Sequence, residues 1–367
     1  MGFDTGTATF QMMELPRPFP EDWLERFANL AGKGVETLKA EESLGWVTGR
    51  HLLDTAITEE RATLAGWVYL FFRVASRKVP ATLLRAECAM EEQAVLAAGD
   101  KRFLKASERK EIRDQVKERL LPNMPPSLKG FPFLHRRGTL HLYMGALGEE
   151  PAGKMGTFLD QTLGFHSEFA TPEYLAEQLK DLDADDLDGT CFSPEMKQVA
   201  MEPALGREFL TWLWFKSEEQ NGKLDLPDGR ECGVLVEGPL TFRWEGNGAF
   251  MTQVSHGTPE TSLEAKSCLL AGKKLASAKL TFALDEDRIW RFNVDADQFL
   301  FRSLKLPDGE PMDRLSAFDQ RMQFWDDWRE MWRGFYGAFL DERATPSRWR
   351  KTTEKMREWV AGRPARR

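Results

Sequence analysis

The stretch "LAGWVYLFFRVASRKVP" (64–80) constrains this chain more than any other. It is dense in aromatic and β-branched side chains, which suit a pleated surface, and it reads as a long, buried strand. Its apolar run, 64–72, is strand length and falls well short of the ~20 residues that span a bilayer. Pro80 then opens a helix, "PATLLRAECAMEEQAVLAAG", which Gly99 closes. A strand that must be buried, followed at once by a helix, already points to a layered α+β fold.

The rest of the chain extends that pattern. "TATFQMMEL" (7–15) and "LGWVTGRHLLD" (44–54) read as strands, and "FPEDWLERFANLAGKG" (19–34) reads as a helix between them. "GTLHLYMGAL" (138–147) alternates, with Leu140, Leu142 and Met144 on one face, and "GKMGTFLDQTLG" (153–164) reads as a short helix. These define an N-terminal α+β region, 1–165, with a helical tip at 80–122. Residues 166–204 read as an acidic connection, with "KDLDADDLDG" (180–189) its most acidic part. A β-rich α+β region, 205–310, opens with the apolar helix "LGREFLTWLWFKSEE". Its short helix 258–272 is capped by Thr261 or Ser262. Residues 311–367 form a Trp-rich helical segment with a basic tail. The expected class is α+β with mixed or antiparallel sheets and inserted helices.

Catalytic signatures are absent. "AGKKLAS" (271–277) lacks the glycines of a phosphate-cradling loop, and "AGKGVE" (31–36) lacks the third glycine of a dinucleotide fingerprint. No Ser sits in a nucleophile elbow. His135 and His141 flank a turn without the spacing of a zinc site. The acidic run Asp181, Asp183, Asp185, Asp186 and Asp188 reads as solvated linker rather than a magnesium cluster, because catalytic carboxylates usually come from separate elements. Cys88, Cys191, Cys232 and Cys268 lie far apart and read as reduced thiols. The start "MGFDTGTATF" has no basic-then-apolar leader. The expectation is a cytoplasmic protein with no catalysis, no cofactor, no metal and no membrane contact.

Charge supplies the one anomaly. With 50 basic and 58 acidic residues the chain carries a net charge of −8, yet "KASERKEIRDQVKERLLPNMPP" (105–126) is strongly basic. At ~100° per residue, Ser107 is the expected N-cap and Ile112, Val116 and Leu120 form an apolar stripe. Arg109, Lys110, Arg113 and Lys117 lie in a band beside that stripe, with Glu108, Glu111, Asp114 and Glu118 on the opposite arc. A helix built for self-pairing alternates its charges at i, i+4; this one sorts them by face. The turn beyond adds Lys129, His135, Arg136, Arg137 and His141. A solvated helix face is the usual fate of a charge run. The alternative is a surface for phosphates, met without reading bases.

The order of these segments resembles one known family. The aromatic strand runs into "SRKVPATLLRAECAMEEQ", and a basic helix ends in "ERLLP". "GTLHLYMGA", "GKMGTFLDQTLG", "LGREFLTWLW" and "TSLEAKSCLLAGKKLASAKLTFALDEDRIWRF" then follow in sequence. From about residue 8 to 340 this is similar to the bacterial recombination-associated RdgC family. The resemblance implies an elongated, curved monomer that pairs head to head and tail to tail into a ring-shaped dimer. The basic hole of that ring admits double-stranded DNA of any sequence, in the cytoplasm and at the nucleoid. It implies restraint of RecA-type recombination, through occupancy of DNA that RecA would use. Arg102, in "DKRFLK", matches a basic position of the family's tip, and Lys78, in "RKVP", matches the Lys ahead of its proline turn. Lys105, Arg109, Lys110, Arg113 and Lys117 are added by the helical arc, and Arg136 and Arg137 by the basic turn.

Two segments depart from the family. "LLPNMPP" carries Met124 and Pro125 where the family places an aromatic dimer contact, leaving Phe131 and Phe133 nearby as substitutes. The loop "SHGTPETSLEAK" offers only His256 where the family has basic and amide residues. In "FDQRMQFWDDWREMWRGFYGAFL" (318–340) the aromatic stripe, including Trp328 and Trp332, reads as core or subunit interface. The tail 348–367 reads as a second DNA-contacting arm or a frayed end. The rival to DNA binding is a protein-interaction scaffold that docks partners on the Trp-rich helix.

Overall fold

The computed structural model describes residues 2–37, 41–99, 102–145, 148–196, 201–244, 250–255, 262–310 and 313–362. Lys101, His256, Thr261 and the last five residues of the basic tail lie outside the described residues. The chain is α+β with a large antiparallel sheet.

In chain order, β1 (Ala8–Glu14), α1 (Trp23–Asn29) and β2 (Glu42–Thr48) precede α2 (Glu59–Ala62) and β3 (Thr63–Leu64). The aromatic strand is β4 (Trp67–Ser76), followed by α3 (Ala81–Ala98) and α4 (Ala106–Leu120). Next come β5 (Ser127–Arg136), β6 (His141–Met144), α5 (Glu149–Leu163), β7 (Glu168–Phe169) and α6 (Pro172–Lys180). The later part holds α7 (Leu205–Glu219), β8 (Lys223–Asp225), β9 (Glu231–Arg243), β10 (Met251–Val254) and α8 (Leu263–Leu270). It ends with β11 (Lys274–Ala283), β12 (Ile289–Asp295), β13 (Leu300–Lys305), α9 (Arg314–Arg343) and α10 (Pro346–Ala361).

Two compact units result. One comprises residues 19–133 and 161–164; the other comprises 1–18, 134–160 and 165–367. The boundaries read from the sequence, at 165/166, 204/205 and 310/311, follow composition instead.

In the larger unit the strands lie in the order β10-β9-β11-β12-β13-β1-β6. Neighbours pair antiparallel, for example Phe282 with Trp290 and Phe10 with Phe301. One face carries an aromatic interior. Trp332 lies 4.9 Å from Phe299 and from Phe301 and 5.2 Å from Phe209, mostly edge to face. Helix α7 is buried nearly all round, in keeping with its run of large apolar side chains from Phe209 to Phe215. Gly206 permits this, because a Cβ there would collide with the Ala296 carbonyl. Ser262 caps α8, its Oγ accepting the Ala265 N–H at 3.2 Å.

As far as Ala361 the basic tail is not frayed. It forms α10, which buries Trp349, Met356 and Val360. Lys266 on α8 helps to hold it, with Nζ 3.1 Å from the Trp359 ring centroid. Burial lowers the Lys266 ammonium to about 8.

A second local clasp involves His166, just after α5. Its Nδ1 lies 2.5 Å from Asp160 and its Nε2 3.1 Å from Glu168. The hydrogen bond and charge of Asp160, then Glu168, raise its pKa. The folded state therefore favours the imidazolium. The clasp stabilises fully below the unfolded value of about 6.5 and fades as pH rises through the raised folded value. His166→Gln should lower the melting temperature at about pH 5 and leave it unchanged at about pH 9. A pH-independent difference between the two proteins would rule the clasp out.

In the smaller unit β4 pairs antiparallel with β2, from Glu42 opposite Ser76 to Thr48 opposite Leu70. β3 folds back on β4 through Ala65 and Gly66, both at positive φ. Arg73 is buried at the centre of β4 and donates to the carbonyls of Leu52, at 3.1 Å, and Lys33. Beyond β4, helices α3 and α4 pack as a pair over a small apolar core. Val79, Leu84, Leu104, Ile112, Val116 and Leu121 form it, with Leu120, Cys88, Leu96 and Met124 at its margin.

Candidate nucleic-acid interface

Two arginines tie the tip together. Arg119 on α4 reaches α3, donating to Glu91 at 2.6 Å and Glu87 at 2.9 Å. Arg77, past the end of β4, donates to the carbonyls of Pro122 and of Val35, the latter at 3.1 Å. Pro80, four residues past the end of β4, is the N-cap of α3 and gives it no side-chain hydrogen bond. The N-cap of α4 is Lys105, not Ser107; its N–H is accepted by Glu108 Oε2 at 2.8 Å. The sequence rule favours Ser at a cap, but here the Glu108 carboxylate satisfies the helix end instead.

Between α3, α4 and the end of β4 lies an open cleft of about 890 Å³. Five of the residues proposed from sequence line it: Lys78, Arg109, Lys110, Arg113 and Lys117. Arg77 and Arg85 line it too, and neither is among the residues expected from the sequence. Glu41, Glu42 and Glu92 supply the opposite charge, and Val79, Ala81, Leu84, Cys88 and Ala89 supply apolar wall. Arg109 lies 3.8 Å from Glu92, and Lys117 pairs with Glu41. Lys78, Arg85, Lys110 and Arg113 make no ion pair or side-chain hydrogen bond among the described residues, and all four are exposed. Glu111, Asp114 and Glu118 are exposed and outside the cleft lining. Four uncommitted cations in one concavity create a focused positive potential on a chain of net negative charge. Burial raises the Cys88 thiol, against a smaller opposing effect of Arg113, so this thiol stays protonated.

The other proposed residues lie elsewhere. Arg102 and Lys105 are exposed outside the cleft lining. Arg136 and Arg137 belong to the larger unit, where Arg136 pairs with Asp326 at 2.9 Å. His135 and His141 cannot add positive charge. Both are buried, and desolvation lowers His135 to about 4 and His141 to about 3, so both are neutral.

The proposed dimer contacts are corrected in part. Phe133, Trp328 and Trp332 are fully buried within their own units, packed on other rings, and present no surface to a second copy. Met124 and Phe131 are half-buried. The α9 tryptophans, Trp325, Trp328 and Trp332, are buried as well. Among the described residues, no group of three or more His, Cys, Asp or Glu is placed to hold a metal ion, and no helix is long and apolar enough to cross a membrane. No protein-family model and no curated protein sequence matches this chain.

Proposed function

We propose that this chain binds double-stranded DNA through its phosphate backbone, without reading sequence. The observation that carries the reading is the convergence of Lys78, Arg85, Lys110 and Arg113, all uncommitted, on one cleft of the helical tip. Arg109 and Lys117 stand beside them in exposed ion pairs worth little, and both exchange a carboxylate for a phosphate at small cost. Lys and Arg gathered around one cleft neutralise phosphates by releasing counterions, so the contact proposed is to backbone. The resemblance to the RdgC family extends the proposal. The chain acts as a homodimeric ring at the nucleoid, encircling DNA and restraining RecA-type strand exchange by occupying the substrate.

Titrating salt against affinity for several unrelated duplexes tests the reading. Equal affinities are expected, with log K falling against log[salt] at a slope of about −4 or steeper, since each phosphate contact contributes about −0.9. No binding at low salt, or affinity insensitive to salt, overturns it.

A further inference from the structure

A duplex is convex, so its backbone can cross the mouth of the tip cleft but cannot fill it. The DNA reading uses the cations and leaves the volume between them unfilled. Its volume, about 890 Å³, lies within the ~300–1,000 Å³ typical of small-ligand sites. Four uncommitted cations are more than one isolated phosphate can neutralise. They fit a ligand that packs several negative charges into a short length. The cleft also has an apolar wall, open at Ala81, Ala89 and the half-buried Cys88 and backed by the buried Val79 and Leu84, with Cys88 held as a neutral thiol. Inorganic anions gain nothing from such a wall, whereas the base and sugar of a nucleotide cover it.

We propose that the α3–α4 cleft is a binding site for a nucleoside polyphosphate, whose phosphate chain lies among Lys78, Arg85, Lys110 and Arg113 and whose nucleoside covers the apolar wall. The site goes beyond the DNA reading and does not require it. If both hold, nucleotide and duplex compete for the same cations, and nucleotide occupancy releases DNA. No bond is made or broken: the ligand binds and leaves intact.

Calorimetric titration of the full chain, without DNA, tests the site directly. The probes are adenosine triphosphate and inorganic triphosphate, applied to wild type and to the double variant Lys110→Gln/Arg113→Gln. Both substituted side chains are exposed and unpaired, so the variant should melt like wild type, which is checked first. The nucleotide is expected to bind wild type at least tenfold more tightly than inorganic triphosphate, and at least tenfold more tightly than it binds the variant. Absence of nucleotide binding, or equal binding by wild type and variant, overturns the proposal. Equal affinity for the two probes overturns the role of the apolar wall and with it the nucleoside. A chain that binds nucleotide through Lys110 and Arg113 but never binds duplex sinks the DNA reading and leaves this one standing.

Discussion

Replacing Lys78, Arg85, Lys110 and Arg113 together by Gln should flatten the salt dependence of DNA binding by about 3–4 in log–log slope, at about 0.9 per lost phosphate contact. The loss should be uniform across unrelated duplexes, because backbone contacts carry no sequence information. The same substitutions in a solvated surface would change nothing beyond net charge. Arg102 and Lys105 provide the comparison: both are exposed on the same tip but outside the cleft lining. Their double Gln variant removes two charges from the tip without touching the cleft, so its slope should fall by well under 2. The core of the tip, from Val79 to Leu121, is untouched in either variant. Melting temperatures near wild type are therefore expected for both. If the Arg102/Lys105 variant loses as much slope as the cleft variant, phosphate binding is spread over the tip and the cleft has no special part in it.

Much of the site was legible because helical periodicity is local. The band of Arg109, Lys110, Arg113 and Lys117 follows from 3.6 residues per turn, and the structure places all four on the lining of one cleft. Arg85 was not legible, because it joins them only through the packing of α3 on α4. Helix α3 itself was read to within a residue, from Pro80 to Gly99, since both ends carry local signals. Helix α6 was hidden inside a segment judged by its acidity. Yet Thr171 followed by Pro172 and Glu173 is a helix-start signal, and Thr171 Oγ1 does accept the Tyr174 N–H at 3.2 Å. The alternation of 138–147 misled in a different way. It places one face of a strand inward, but every residue of β6, His141 included, is buried. Sequence alternation reports the chemistry of the two faces and not what covers each. That is why two histidines counted as surface cations proved to be neutral and interior.

The acid inside "LGREFLTWLWF" leads to the largest expected effect on stability. Glu208 is completely buried in α7 and receives the Thr190 N–H at 2.9 Å. Its other contacts are Lys274 Nζ at 3.3 Å, from the start of β11, and Arg343 Nε at 2.8 Å, from the end of α9. Arg343 also donates to the Asp188 carbonyl at 2.6 Å, which ties the acidic connection to the same point. An acid in the apolar part of a helix calls for a buried partner, but those partners stand 66 and 135 residues away, beyond any local pattern. Lys274 and Arg343 are themselves almost wholly buried. Glu208→Gln keeps the volume of the side chain and removes the charge both cations share, so it should cost about 3–5 kcal/mol, a large part of the ~5–15 kcal/mol that holds a domain together. Urea unfolding should show a lower midpoint with an unchanged slope. Replacing all three residues by apolar ones, as Glu208→Leu, Lys274→Met and Arg343→Met, removes both cations along with the acid. It should recover most of the loss, because a buried ion cluster and a well-packed apolar one of similar volume are often close in stability. A Glu208→Gln protein within about 1 kcal/mol of wild type would mean that the two cations are stabilised by other groups and that Glu208 does not organise this junction.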